Sequence, residues 1–170
     1  MKEAPPLYEG EYSPQSVISS MLQHLLSWFG LCIRLYAGYI FIEAALPKII
    51  EPLPFATSIG HYGILPMWAV NASALVLPWL ELLTGVALLA GLRTRVAALF
   101  AAGMMLLFAC AVAWAVIQGL QIDCGCFGTA NAETVSWFKV GKNTLIAAAL
   151  LILALLPKTP FSVDHPKASA

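Results

Sequence analysis

The sequence predicts an all-α integral membrane protein: a four-transmembrane-helix bundle with a short interfacial helix in the first outer loop. Three observations carry that prediction. Of 170 residues, 60% are hydrophobic and 11% charged, against roughly 25% charged in an average soluble domain. Mean hydropathy is +0.81. The apolar residues also fall into four runs, each reaching the roughly 20 residues a helix needs to cross about 30 Å of hydrocarbon at about 1.5 Å per residue. The formal net charge is zero and no run of like charge occurs, which leaves the lipid bilayer as the expected environment and excludes a nucleic-acid partner.

Residues 1–26 form an N-terminal tail with Pro5, Pro6 and Pro14 that turns helical around Val17 to Leu26. No short apolar region followed by a small-residue cleavage site occurs there, so it does not read as a cleaved signal peptide. The first span is 27–46, "SWFGLCIRLYAGYIFIEAAL". The stretch 47–66, bracketed by Pro47 and Pro66, mixes Ile59, Tyr62, Ile64 and Leu65 with Thr57, Ser58 and His61, a mixture suited to a helix at the bilayer surface. The second span, 67–92, and the third, 94–120, are joined by "GLRTR", which folds them into an antiparallel hairpin. The fourth is 135–156, followed by a tail, 157–170. Trp28, Trp68, Trp114 and Trp137 fall near span ends, where aromatic belts form. Gly38 and Ala45, Gly85, and Ala98, Ala102 and Ala109 offer small surfaces for close helix approach. Arg93 and Arg95 in the hairpin turn and Lys158 and Lys167 in the tail point both ends of the chain to the cytoplasm. The loops 47–66 and 121–134 then face the periplasm of a bacterial inner membrane.

Ionisable residues within spans mark functional or helix-locking positions, because a charge at mid-bilayer costs about 2.5–3.5 kcal/mol even on the lenient insertion scale. Counted from the inner span ends, Arg34 lies about 10–13 Å deep and Glu81 about 13–17 Å. The two share a depth, either as a ligand or proton site or as an ion pair locking two helices. Nearer the outer side stand Glu43, Lys142 and Asn143. Lys142 either pairs with Glu43 or snorkels to the interface, and Asn143 hydrogen-bonds across helices. Cys32 and Cys110 read as small packing hydrophobes. His61 reads as a surface loop residue.

The segment "DCGCFG" holds Cys124 and Cys126 around a single glycine. Gly125 permits the bend that brings two sulfurs together, and a bond across so short a loop is strained, the kind that is labile or catalytic. Its closed loop is almost nil, so it gains little as a structural staple. Two thiolates also suit a soft ion such as copper(I); a zinc site would need two more ligands, for which His61 and Asp123 are the local supply. Redox couple, metal clip and plain turn remain three readings of the same six residues, and exposure on an oxidising face favours the first.

"DCGCFG", together with "GYIFIEAALPK", "YGILP", "LPWLELLTGVALLAGLRTRVAAL" and "GKNTLI", resembles the MauE/DoxX family of small four-helix membrane proteins over about residues 30–155. The resemblance implies a redox-associated membrane protein that works with a thioredoxin-like partner or substrate protein in the maturation of a periplasmic enzyme, or within a larger membrane complex coupled to a quinone. It matches Cys124 and Cys126 to the family cysteines, Arg34 and Glu81 to polar residues of the first two helices, and Asn143 to the second member of an Arg-Asn pair. Lys142 stands where arginine is usual, which keeps the charge and loses the bidentate fork. Thiol–disulfide exchange is the first functional expectation, a non-catalytic subunit or maturation factor the second, and copper handling by the Cys-Gly-Cys loop the third.

Overall fold

A computed structural model describes residues 14–122 and 134–156. They form five helices: α1 (Pro14–Ile50), α2 (Pro52–His61), α3 (Met67–Ala90), α4 (Thr94–Ile117) and α5 (Trp137–Leu155). Four stretches are long and apolar enough to cross a membrane: Ile18–Ile50, Met67–Ala90, Thr94–Ile117 and Trp137–Leu155. The protein is therefore an all-α, four-span membrane bundle.

Local chemistry sets the helix ends. Pro52 disfavours helical geometry at the residue before it, and Glu51 is non-helical at φ −124°, ψ 78°, so α1 stops at Ile50 and α2 begins with proline in its first turn, where no amide donor is missed. Helix α3 ends in a Schellman motif: Gly91 is left-handed at φ 70°, its N–H donates to the Leu88 carbonyl at 3.2 Å and the Leu92 N–H to Ala87 at 2.9 Å. Gly119, at φ 69°, closes α4 in the same way, with the Leu120 N–H on the Ala115 carbonyl at 3.0 Å. That glycine is why the helix ends at Ile117 rather than at residue 120.

The helices pack most extensively as two pairs, α1 with α3 and α4 with α5. Adjacent α3 and α4 touch less, although their connecting turn is the shortest between spans. Side-chain size explains the difference. Ala98, Ala101, Ala102, Ala109 and Ala115 of α4 are buried, as are Ala147, Leu150 and Ala154 of α5, and small surfaces let apolar helices approach closely where lipid supplies no hydrophobic drive. Phe41, Leu88 and Leu150 fill the centre of the core.

Register displaces α1 relative to the other spans. Gly38 lies against Gly85 and Leu89, and Lys48 reaches Glu81, so α1 stops opposite about residues 73–79 of α3. About 9–18 Å of α3 still runs on toward Met67, and α2 packs along α3, burying Phe55. In the other direction α1 continues some twenty residues past Ala90 of α3, exposing Ile18, Met21, Leu22, Leu25, Trp28 and Phe29. Its helix thus runs from Pro14, three residues before the lead-in expected at Val17, because the segment carries no breaker after Pro14.

Candidate functional site

Two ends of the bundle can be distinguished: the hairpin end, at the α3–α4 turn, and the loop end, where residues 123–133 connect α4 to α5. The candidate site lies between them. Lys48, in the last turn of α1, donates from Nζ to Oε1 and Oε2 of Glu81 at 2.8 and 2.9 Å. The two side chains are 1% and 2% exposed. The ammonium lies 4.8 Å from the ring centre of Phe55 on α2 and 5.3 Å from that of Phe108 on α4, within range of cation–π attraction. Four elements thus converge on one amine.

The chain's breaks place these groups. The position of Lys48 at a helix C-terminus sets its charge against the negative end of the α1 dipole. Pro47 in α1 and Pro78 in α3 stand beside the pair, and each removes the amide that would bond the carbonyl four residues earlier. Thr84, one turn from Glu81, donates its hydroxyl to the Leu80 carbonyl at 2.6 Å. Burying two charges is costly, and the attraction between them offsets that cost only with good geometry and further partners; the bidentate contact and the two rings supply both.

A cavity of about 110 Å³ opens beside the pair, larger than the roughly 10–15 Å³ that admits one water. Its polar lining is Lys48, Glu81, Lys139, Lys142 and Asn143, and its apolar lining includes Ile40, Met105, Phe108 and Ile146. The α5 face that buries Ala154 and Leu150 near the hairpin end continues toward the loop end as Ile146, Asn143, Lys142 and Lys139, and α1 contributes Ile40, Ala44 and Lys48 to the same cavity.

The site residues expected from the sequence separate into three groups. Glu81, Lys142 and Asn143 meet at this cavity. Arg34 is buried but does not share Glu81's depth: it is fourteen residues, about 21 Å, along α1 from Lys48, near the hairpin end. The depth count failed because it started α1 at its own membrane edge, and the helix is displaced. Glu43 is exposed about 140° round α1 from Lys48, on the side away from the cavity that Lys142 lines, and the buried lysine–carboxylate contact is Lys48–Glu81. Cys124, Cys126 and Asp123 lie outside the described residues. Cys32 and Cys110 are free thiols on the exposed surface of the bundle rather than packing residues inside it. Sequence reasoning missed Lys48, whose signal was a lysine directly after a span and before a proline-rich stretch.

The model of the family described as methylamine utilisation protein MauE matches residues 26–156. The chain belongs to the MauE family. It is 34% identical over 135 residues to the methylamine utilization protein MauE of Paracoccus denitrificans, covering 79% of this chain and 71% of that one. With the protein of the same name from Methylorubrum extorquens it shares 38% identity over 130 residues, 75% of this chain and 70% of the other. The MauE of Methylophilus methylotrophus is 33% identical over 125 residues, 72% and 66%. No solved structure matches the chain. The region matched by the MauE family takes in Lys48, Glu81, the whole cavity lining and both cysteines of the 123–133 stretch.

Proposed function

We propose that this chain is a membrane thiol–disulfide redox protein serving methylamine utilisation, the role its relatives' names describe. Cys124 and Cys126 exchange with a thioredoxin-like or substrate protein through a mixed disulfide, from the periplasmic side of a bacterial inner membrane, with both chain ends cytoplasmic. When the pair oxidises a partner dithiol it becomes a dithiol itself. Reoxidation then passes two electrons and two protons to a membrane quinone, giving the quinol.

The observation that carries this reading is the tie at the base of the cysteine stretch. The Val135 N–H donates to the Ile122 carbonyl at 3.0 Å, so the two chain ends flanking residues 123–133 are held together at the loop end, beside the first turns of α5 that line the cavity. A second reading, a non-catalytic subunit or maturation factor of a membrane redox complex, draws on the apolar stretch of α1 beyond α3, which suits contact with another membrane protein.

Trapping thiols in intact cells with a membrane-impermeant reagent, with and without reductant, tests the proposal. Redox exchange predicts reversible oxidation of the pair and a mixed disulfide accumulating in Cys124→Ser or Cys126→Ser. A pair locked oxidised supports the second reading, and labelling blocked until a chelator is added supports soft-metal binding. Free labelling of both thiols under every condition sinks the redox reading.

A further inference from the structure

Helix α1 carries an apolar stripe that its own bundle does not cover. Ile18, Leu25, Cys32 and Tyr39 recur every seven residues, and Met21, Trp28 and Leu35 each follow three residues later; all are exposed. These are the a and d positions of a heptad kept up for three repeats. The residues that α1 buries, among them Arg34, Ala37, Phe41 and Lys48, stand on its opposite side. A helix of 37 residues is about 55 Å long against about 30 Å of hydrocarbon. Much of the stretch that runs on past Ala90 therefore stands outside the lipid with its stripe uncovered. There the stripe faces away from a polar side made by Ser19, Ser20, Gln23 and Ser27, the one-sided pattern of a helix that packs on another element.

We propose that a second copy of this chain covers the stripe, in a parallel two-fold dimer whose seam is α1 from Ile18 to Tyr39. The occupant must itself be a helix that continues from the membrane into water with an apolar seam of the same period, and α1 of another copy has that length and spacing. Two copies inserted with the same topology stand parallel, so the two-fold axis sets Ile18 on Ile18, Leu25 on Leu25 and Cys32 on Cys32. No Lys, Arg, Asp or Glu lies between residues 18 and 33 to set like charges against each other across the axis. A strict seven-residue repeat drifts about 20° per heptad on a straight helix, so the pair winds left-handedly to keep its seam closed. With Leu22, Phe29 and Tyr36 beside the seam, each chain leaves on the order of 1,000 Å² of apolar side-chain surface uncovered, enough for the about 800 Å² per partner of a standard stable interface. The remaining helices lie behind α1 and do not obstruct the approach. None of this requires the cysteine chemistry of residues 123–133.

Sedimentation equilibrium of the full chain in density-matched detergent tests the dimer, and cross-linking in membranes tests its seam. A protein mass of twice 18.2 kDa is expected. Leu25→Glu, an exposed site beyond the bundle, should weaken the dimer at least a hundredfold, because each copy loses a buried leucine and the two carboxylates face each other. Gln23→Glu adds the same charge on the polar side and should leave the dimer intact. With Cys110, Cys124 and Cys126 replaced by serine, Cys32 should join two copies through a short bismaleimide in membranes, and Leu25→Glu should abolish that product. A chain that stays monomeric in detergent and gives no Cys32 cross-link in membranes overturns the proposal, whether lipid or a different protein then covers the stripe. A dimer unchanged by Leu25→Glu, or one in which Cys32 does not cross-link, overturns it as well by placing the interface elsewhere.

Discussion

Glu81→Leu alone should lower the melting temperature of the purified protein by roughly 6–12 °C, the equivalent of about 3 kcal/mol for a chain of this size. The substitution leaves the Lys48 ammonium buried with two phenylalanine rings and no carboxylate, and a single orphaned charge retains its full desolvation cost. Lys48→Met should cost a similar amount by stranding the carboxylate. The double variant, Lys48→Met with Glu81→Leu, should recover most of the loss, because replacing both partners with apolar groups of similar volume is nearly neutral in buried sites. Far-ultraviolet circular dichroism melts of the four proteins in one detergent measure the cycle. Losses that simply add in the double variant would show that the two side chains do not hold each other. A recovered fold also separates roles: a stable double variant that has lost activity in cells places the pair in function, and one that keeps activity leaves it as a lock between α1 and α3.

Much of the fold was legible in the sequence because membrane spans announce themselves locally. Apolar length and the Gly91 turn need no knowledge of neighbouring helices. The offset of α1 was not legible in this way. It follows from where Gly38 meets Gly85, a contact between residues far apart in sequence, and the depth of every charge on α1 shifts with it. Glu81 was singled out correctly as a buried acid needing a partner, and the wrong cation was assigned, since Arg34 and Lys48 differ by about 21 Å along one helix. Lys48 looked like a flanking residue outside the first span. It is buried because α1 ends within the bundle and Phe55 of α2 closes over it. Lys142 and Asn143 were recognisable as polar residues near a span end, whereas the cavity they line also takes Ile40, Ala44 and Lys48 from α1 and Glu81 from α3, residues far apart in sequence.

Gly85→Leu should disrupt the bundle more than any change at the ion pair, and Gly85→Ala should already be measurable. A Cβ at residue 85 would stand 2.8 Å from Ile42 Cγ1, 2.9 Å from the Gly38 carbonyl oxygen and 3.2 Å from the Ile42 backbone nitrogen. Two of those neighbours are backbone and cannot rotate aside, so the helices must separate. A Cβ at residue 103 would meet nothing within 4 Å, and Gly103→Ala should raise stability slightly, by up to about 1 kcal/mol of helix propensity. Measured against that control, Gly85→Ala should cost about 1–3 kcal/mol from overpacking. Glu81 sits one turn from Gly85 on the same helix, so moving α3 outward at the crossing also stretches the contact to Lys48. The losses from Gly85→Ala and Glu81→Leu should therefore be less than additive, with a coupling of about 0.5 kcal/mol or more. Strict additivity would mean that the crossing and the ion pair are positioned independently, and that the approach of α1 to α3 at Gly38 is not what brings Lys48 to Glu81.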